Sequence, residues 1–416
     1  MRSWAIAVLG AALCGAVALA ARAEPGFAPD GPQAAAYGQA LGYPVPPPGT
    51  KREGLKQEHY VGLHSHYDQF RPMREVPTSA TPSPLSRAPG SLDLTYQHEG
   101  RTHTLADYLR RHPVTGLLIA RDTDILFEHY QYGRRDSDRF LSHSLAKTIT
   151  GLLAGAALED RAIRSLDDPV SAYVPELAGT AYGATPVHAL LPMASGIGFR
   201  ETYQPDDDVR RLIDGLIGPT AMGAVAAVRQ FDSRVAEPGR VFHYSSADSQ
   251  VLGMVISRAV GMPLSEYFSR RLWAPLGAEA NAAWDADAEG DALSFCCVVA
   301  RLRDWARLGL MIAHDGRWNG QQVVSRPWIH EATTPPRGLG ANYGYQIWLS
   351  GETPRYYAMR GILGQAVLID PITRFVLVQT AVNLNPNDPG ASAELTALWH
   401  ALLAQHGPPG RFGRTW

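Results

Sequence analysis

Runs of apolar residues with the length of β-strands lie towards both ends of the chain. Two of them, 114–120 and 125–132, flank the polar turn 121–124 and predict a hairpin. Further strands are predicted at 343–349, 356–370 and 374–382, with a first helix at 105–111 and a last helix at 392–405. The pattern therefore predicts an antiparallel sheet made from both chain ends.

Between these strand-rich ends, from Ser144 to about residue 330, apolar residues recur mostly at helical spacing. The clearest helices are 145–158, rich in Ala, Leu and Ile, and 251–260. The predicted fold class is α+β, with the antiparallel sheet flanked by helices and packed against a large, mostly helical region. A cleft between two such regions is a usual place for a ligand.

The N-terminal residues differ from the rest in composition. Residues 1–23 combine a basic start, an apolar core and the small-residue end Ala21-Arg-Ala23, which predicts a signal peptide and a secreted or periplasmic protein. Residues 24–95 are rich in Pro, Gly and Ala and predict an arm wrapped over a main domain at 96–416. No other stretch approaches the roughly 18 apolar residues that span a bilayer, so we expect no membrane span.

Lysine is scarce in this chain, which has three lysines among 38 Lys and Arg residues. Arginine stays protonated in proteins, whereas a buried lysine can lose its proton and act as a base. Lys51 and Lys56 lie in the arm, so Lys147 is the only lysine of the main domain. It follows Ser144 by three positions, which on a helix places both on one face. The S-x-x-K spacing favours a serine nucleophile with its base, although a helix can carry this pattern by chance.

A second polar element, Tyr244 and Ser246, stands between the turn Glu237-Pro-Gly239 and the helix 251–260. A tyrosine here can carry a proton between nucleophile, leaving group and water if a neighbouring cation lowers its pKa. The alternative interpretation is a core tyrosine beside serines that cap a helix.

With both elements in this order, the sequence resembles the serine β-lactamase and penicillin-binding-protein superfamily. Further stretches are similar to the 6-aminohexanoate-dimer hydrolases (nylon-oligomer hydrolases) and the family VIII carboxylesterases. These stretches are Phe140-Leu-Ser-His-Ser-Leu-Ala-Lys147, Ser165-Leu-Asp-Asp-Pro-Val170, Tyr173-Val-Pro-Glu-Leu177, Leu190-Leu-Pro-Met-Ala-Ser-Gly196 and Arg303-Asp-Trp-Ala-Arg-Leu-Gly309. The resemblance covers the chain from about Tyr96 onward and implies a β-lactamase/transpeptidase-like fold.

The resemblance implies a serine hydrolase that cleaves small esters or amides through an acyl-enzyme. Ser144 would be the nucleophile, with Lys147 and Tyr244 as the acid and base groups. The oxyanion would be held by the Ser144 N–H and by an N–H of the strand 361–365. The implied substrate-binding residues are Tyr203, Ser246, Ile362, Gly364 and Gln365. No cofactor or metal is expected.

The chain departs from the β-lactamases at their third motif, K-T-G. No lysine follows Lys147, and the corresponding strand reads Met359-Arg-Gly-Ile-Leu-Gly-Gln-Ala-Val367, similar to the G-I-x-G-Q form of the nylon-oligomer hydrolases. Ile362 argues against strong carboxylate recognition, while Arg360 partly replaces the missing charge. No glutamate between residues 195 and 232 stands out as the deacylating base of class A enzymes. A β-lactamase or D,D-carboxypeptidase stays an alternative, and so does a non-catalytic binding protein.

Other polar clusters predict no additional chemistry. His64, His66 and Asp68 are interpreted as a polar turn, because no matching set of metal ligands follows them. The acids at 206–208 are interpreted as a solvated face or a helix start.

The two cysteines of the main domain are adjacent, at Cys296 and Cys297. Their Cα atoms would be ~3.8 Å apart, below the usual disulfide range, so we predict buried thiols. The net charge of −2 and the dispersed arginines favour a small, largely uncharged substrate over nucleic acid. A homodimer is compatible with the sequence, which does not determine the oligomeric state.

Overall fold

The computed structural model describes residues 27–51, 54–352 and 355–408. The predicted signal peptide, 1–23, lies outside the described residues. The strands are β1 (Met73–Val76), β2 (Ser86–Arg87), β3 (Thr95–His98), β4 (Arg101–Thr104), β5 (Val114–Arg121), β6 (Asp124–Tyr130), β7 (Phe140–Leu141), β8 (Ala282–Asp285), β9 (Val298–Ala300), β10 (Arg317–Trp318), β11 (Gln321–Gln322), β12 (Trp348–Leu349), β13 (Tyr357–Arg360), β14 (Ala366–Ile369) and β15 (Phe375–Ala381). The helices are α1 (Tyr60–Ser65), α2 (Tyr67–Phe70), α3 (Leu105–Arg111), α4 (Leu145–Glu159), α5 (Val187–Leu190), α6 (Asp208–Ile217), α7 (Ala224–Arg229), α8 (Ser246–Val260), α9 (Leu264–Phe268), α10 (Leu302–Ala313), α11 (Arg326–Ala332) and α12 (Pro389–His406).

The main sheet has seven strands in the order β12-β13-β14-β15-β5-β6-β2. Its central pair, β15 and β5, joins the two chain ends, since Val378 pairs with Leu118 in antiparallel register. Strand β2 runs parallel to β6, and the other pairs of this sheet are antiparallel. The prediction of an α+β fold with an antiparallel sheet from both chain ends is therefore confirmed.

Helices cover both faces of the main sheet. Helix α10 lies on one face, where a β-carbon on Gly309 would be 2.9 Å from the side chains of Val367 and Val376. On the other face, α3 and α12 bury Leu109 and Trp399 against the sheet. The absence of a side chain at Gly309 permits this close approach of helix and sheet, and the apolar burial on both faces holds the layers together.

Helix α4 forms the centre of the helical region and packs against α8. All of its residues before Leu158 are buried, so it has no solvated stripe. A β-carbon on Gly155 would lie 2.4 Å from the ring of Trp328, which shows how closely α11 approaches. Ser144, at the start of α4, is therefore carried by a helix that is fixed by packing on all sides.

The extents of two predicted strands were wrong. The run 356–370 is divided into β13 and β14 by a 3-10 turn at Ile362–Gly364, in which Leu363 has a positive φ of 63°. The run 343–349 contributes only β12. Hydrophobicity gives no sign of the division, because the turn itself carries apolar residues and both flanking strands are largely buried.

The region predicted as mostly helical also contributes β8 and β9 to a second sheet, which has the order β1-β8-β9-β7. Strands β8 and β9 are wholly buried and lack the alternation that marks a strand in a sequence. Strand β1 comes from the arm, which is also held by hydrogen bonds from Tyr67 (2.9 Å) and Arg71 (2.8 Å) to Asp285. The arm also supplies β2 to the main sheet, so it adds one strand to each of these two larger sheets. None of the helices in the described ranges is long and apolar enough to cross a membrane.

The prediction of buried thiols at Cys296 and Cys297 was wrong, because the structure has a disulfide between them. Their Cα atoms are 3.7 Å apart, as expected for neighbours, and Cys297 has a φ of 70°. The usual Cα separation applied in the sequence argument describes cysteines on separate segments. A turned backbone at Cys297 accompanies the bridge between adjacent residues.

Candidate active site

Ser144 lies at the N-terminus of α4, after β7 and a sharp turn. His143 has a φ of 46°, a left-handed conformation that few residues other than glycine adopt. The end of β13 lies against this turn, since a β-carbon on Gly361 would be 2.8 Å from the carbonyl oxygen of Ser142. Ile362 begins the 3-10 turn after β13, so its N–H has no acceptor within that turn. The backbone N–H groups of Ser144 and Ile362 thus belong to two segments that lie against each other.

Lys147 is one helical turn from Ser144, and its side chain is buried. Its Nζ donates to Ser144 Oγ at 2.9 Å, to Ser246 Oγ at 3.1 Å and to the Phe295 carbonyl at 3.2 Å. Burial lowers the pKa of this amine from 10.5 to about 8, although the negative charge of Glu201 acts in the opposite direction. The amine is therefore closer to neutrality than an ordinary lysine.

Tyr244 completes the group around the serine. Its hydroxyl is hydrogen-bonded to Ser144, its ring centroid is 4.9 Å from Lys147 Nζ, and the ring stacks on Trp348 at 5.4 Å. Burial raises the pKa of Tyr244, the charge of Glu201 raises it further, and the hydrogen bond with Ser144 opposes both. A pKa lowered by a neighbouring cation, the condition set for proton transfer from the sequence, is not met, because burial and the charge of Glu201 both act to raise it. The phenol keeps its proton at neutral pH.

Glu201 is a central residue of this site that the sequence argument missed. It accepts hydrogen bonds from the Ser246 N–H (2.7 Å), the Ser246 hydroxyl (2.9 Å) and the Tyr203 hydroxyl (3.0 Å). Ser246 therefore links Glu201 to Lys147. No sequence pattern near Glu201 indicates this role. Ser246 lies 45 positions away, and only the fold brings the two residues into contact. The signal in the sequence that points to Glu201 is its position two residues before Tyr203, which was already predicted to bind substrate.

The loop that carries Glu201 and Tyr203 is fixed by buried carboxylates. Asp248 accepts from the hydroxyls of Ser195 (2.7 Å) and Tyr182 (2.8 Å), and burial raises its pKa to about 6. Asp207 caps α6 and also accepts the N–H of Tyr203, which has a positive φ of 63°. The predicted helix start at 206–208 is thus confirmed, and Tyr203 is held through its N–H by Asp207 and through its hydroxyl by Glu201.

The predicted substrate-binding residues differ in their hydrogen bonds. Ser246 contacts Lys147 and Glu201, below the cavity. The side chain of Gln365 joins β14 to β15, donating to the Ala381 carbonyl (2.6 Å) and accepting from its N–H (3.2 Å). The Gly364 carbonyl accepts from Gln379 at 2.9 Å. These bonds fix the segment that presents the N–H of Ile362.

A cavity of about 470 Å³ opens above Ser144. Its wall includes all but one of the predicted substrate-binding residues, the exception being Ser246, and it also contains the charged residues Glu201, Arg360 and Asp388. Its remaining lining residues are Ser144, Tyr244, Trp348, Gly361, Ala366, Gln379, Asn383, Pro386, Asn387, Pro389, Ala391, Ser392 and Leu395. The cavity extends from the nucleophile along the turn after β13 to the start of α12.

One group of carboxylates has the spacing of a metal site. Oxygens of Asp287, Glu289 and Asp291 lie within 4.8 Å of one another. Asp287 already accepts backbone N–H groups, including that of Ala224 at 2.9 Å, and Asp291 forms a two-bond pair with Arg258. These contacts explain the clustering of the three carboxylates, because they stabilise the turn at 287–291.

The motif order, the sheet topology and the geometry around Ser144 agree with a match to the family model described as Beta-lactamase, over residues 102–403. The chain belongs to the beta-lactamase family. It has the β-lactamase/transpeptidase-like fold and is a serine hydrolase of that superfamily.

The chain is similar to one curated relative and to two solved structures that share its fold. The 6-aminohexanoate-dimer hydrolase of Paenarthrobacter ureafaciens is 30% identical over 301 residues, which is 68% of this chain and 74% of that protein. A solved structure from Bacillus anthracis, provisionally named a 6-aminohexanoate-dimer hydrolase, has a TM-score of 0.76 at 21% identity and covers 83% of this chain and 94% of its own. EstCE1, a hydrolase with promiscuous acyltransferase activity, has a TM-score of 0.56 at 18% identity, with 70% and 93% coverage. The resemblance drawn from the motifs is confirmed.

Proposed function

We propose that this chain hydrolyses small esters or amides through an acyl-enzyme on Ser144. The observation that carries the proposal is the 2.9 Å contact between Lys147 Nζ and Ser144 Oγ, in a buried setting that lowers the pKa of the amine to about 8. A base of this pKa has a substantial neutral fraction near pH 8, whereas an ordinary lysine does not.

The contacts of Lys147 support its role as the base. The Ser246 hydroxyl donates its proton to Glu201, so towards Lys147 it can only accept. The Phe295 carbonyl can also only accept. A neutral amine has two N–H groups and one lone pair. When the two N–H groups occupy these acceptors, the lone pair faces the Ser144 hydroxyl.

The reaction then follows from the protonation states. Lys147 accepts the Ser144 proton while Oγ attacks the carbonyl carbon, and the N–H groups of Ser144 and Ile362 stabilise the oxyanion. Tyr244 is neutral and can donate a proton to the leaving alcohol or amine. The proton held on Lys147 replaces the one that Tyr244 gives up. Water then attacks the ester carbonyl by the same steps in reverse order.

The substrate class is argued from the cavity and from the relatives. A volume of about 470 Å³ suits a small organic substrate. Tyr203 lines the same cavity as Ser144, and its hydroxyl, which donates its proton to Glu201, can accept from the N–H of a scissile amide. The similarity to a 6-aminohexanoate-dimer hydrolase supports the amide, and the similarity to EstCE1 leaves the ester equally in view. Both use the same acyl-enzyme and differ in how the leaving group is protonated.

A second candidate function, β-lactam or D,D-peptide cleavage, is favoured by Arg360. Its side chain lines the cavity, and within the described ranges it forms no ion pair with a carboxylate. A carboxylate on a β-lactam or a peptide terminus is a suitable partner for such a cation. Turnover of nitrocefin or of a peptide ending in D-Ala would support this function.

The proposal is tested by treating the chain with a fluorophosphonate and mapping the adduct by mass spectrometry. We expect one adduct, on Ser144, and none in Ser144→Ala or Lys147→Arg, because arginine keeps the charge but cannot act as the base. Ester and amide turnover should disappear in the same two variants. Labelling at another serine, or full activity in Lys147→Arg, would contradict the assignment.

A further inference from the structure

The mechanism makes no use of the sulfur atoms of Cys296 and Cys297, yet their disulfide follows directly after a residue that contacts the base. The bridge and the peptide bond between the two residues form one small ring, so the backbone there has little freedom to turn. Cys297 has a φ of 70°, in the left-handed region that only a few per cent of non-glycine residues adopt. The ring therefore determines the direction of the chain on either side of it.

The chain on both sides of the ring contacts the catalytic residues. Before it, the Phe295 carbonyl accepts from Lys147 Nζ at 3.2 Å, and the Phe295 ring lies 5.6 Å from the same atom. After it, Val298 exchanges two hydrogen bonds with Ser142, its N–H bonding to Ser142 Oγ at 3.0 Å and its carbonyl accepting the Ser142 N–H at 2.8 Å. The ring thus lies between one contact to the base and one to the turn before the nucleophile.

The peptide groups of the ring are themselves hydrogen-bonded to the second sheet. The Cys296 carbonyl accepts from Trp284 Nε1 at 2.9 Å, and the Cys297 carbonyl accepts from the Asp285 N–H at 3.1 Å. Both partners are wholly buried. A change in the backbone angles at Cys297 would therefore break these bonds together with those of Phe295.

The Phe295 carbonyl matters because of the geometry of a neutral amine. Three oxygens lie within hydrogen-bond distance of Lys147 Nζ, those of the Ser144 and Ser246 hydroxyls and of this carbonyl. Without the carbonyl, one N–H loses its buried partner, and the amine can rotate to recover a bond elsewhere. Rotation would turn the lone pair away from the Ser144 hydroxyl.

We infer that the Cys296–Cys297 disulfide is a positioning element for the general base, acting through the Phe295 carbonyl. The inference rests on the proposed role of Lys147. It makes the enzyme sensitive to a dithiol reductant. In that reaction the S–S bond breaks, two S–H bonds form, and the dithiol is oxidised to its own disulfide with transfer of two electrons and two protons.

The first experiment establishes the bridge in the protein itself. The third cysteine of the chain, Cys14 in the predicted signal peptide, is first replaced by serine so that only Cys296 and Cys297 can react. This Cys14→Ser chain is denatured and alkylated with iodoacetamide, with or without prior reduction by dithiothreitol. We expect two more alkyl groups after reduction, both on the peptide that contains Cys296 and Cys297. Equal alkylation in the two samples would overturn the inference. Cys14→Ser without reductant should match the parent chain in activity and serves as the control.

The second experiment measures kcat and KM against pH for the oxidised chain, the reduced chain and Cys296→Ala/Cys297→Gly. Glycine keeps the positive φ accessible, so this variant should stay folded without the bridge. We expect kcat to fall at least about tenfold with KM little changed, which corresponds to about 1.4 kcal/mol in the barrier. The acidic limb of the profile should also move to lower pH, since the ammonium has lost an acceptor.

An unchanged kcat and an unchanged limb in the reduced chain would refute the inference. So would a loss of kcat without any movement of the limb, because that is the result of a purely structural disulfide. Failure of the proposed function is seen separately, since the oxidised chain would then not be labelled by the fluorophosphonate at Ser144.

Discussion

Replacement of Glu201 by glutamine tests whether this carboxylate sets the protonation of the base. The structure connects Glu201 to Lys147 through one hydroxyl, with Ser246 Oγ 2.9 Å from the carboxylate and 3.1 Å from Nζ. The two charges are therefore about 5–6 Å apart, a separation at which an opposite charge shifts a pKa by about 1–3 units. Glutamine has nearly the same shape, and its oxygen can still accept from the hydroxyls of Ser246 and Tyr203. Glu201→Gln therefore removes the charge together with the one acceptor of the Ser246 N–H.

The expected result is a shift of the pH dependence of kcat/KM. In the proposed mechanism neutral Lys147 is the active form, so kcat/KM of the parent chain should rise with pH and level off above a pKa of about 8. Since Glu201 raises this pKa, Glu201→Gln should move the rising limb to lower pH by about one to two units. Ester hydrolysis measured from pH 5 to 10 is the assay, and Glu237→Gln, an exposed glutamate outside the cavity, is the matched control. A limb that stays in place or moves to higher pH would refute the electrostatic argument.

Two further predictions concern the base and the leaving group. Lys147→Met should abolish turnover yet raise the free energy of unfolding at pH 7 by up to about 3 kcal/mol. The reason is that the pKa of Lys147 is about 8 in the folded state and 10.5 in the unfolded state, so the charged lysine is less stable when folded. Between these two pKa values the unfolded state binds more protons, so the stability of the parent chain relative to the variant should rise with pH from about 8 to 10.5. Chemical denaturation measures this difference, and a difference that is the same at pH 7 and pH 10 would count against burial as the cause. Tyr203→Phe should lower amide turnover more than ester turnover, since the Tyr203 hydroxyl donates its proton to Glu201 and can accept only from an N–H, which an ester lacks. Comparison of matched ester and amide substrates decides this, and equal losses would place Tyr203 outside leaving-group contact.

The fold was predictable to the extent that its elements repeat a pattern over several residues. The strands β5 and β6 and the helix α4 were found within a few residues of their ends, because their apolar runs are long. The second sheet was not found, because β8 and β9 are short and buried on both faces. The turn at Ile362–Gly364 was not found either, since its residues are as apolar as the strands beside it. Periodicity fails where burial is uniform.

The candidate site divides in a similar way. Ser144 and Lys147 were predictable because their contact is local, between positions three apart on one helix. Tyr244 and Ser246 could be proposed from their spacing, but their hydrogen bonds to the catalytic group could not. Glu201 was missed, since its importance depends wholly on a contact with a residue on another element.

The construction of the site from distant segments has a physical cause. A buried ammonium must have its N–H groups paired, and a buried amine must have its lone pair aimed at the proton it removes. No single helix can supply both conditions. The acceptors of Lys147 therefore come from α4, from the start of α8 and from the segment before the disulfide, and the carboxylate behind them comes from the loop at Glu201. A short motif can identify the nucleophile and its base, but their reactivity depends on the three other segments that the fold brings to the same nitrogen atom.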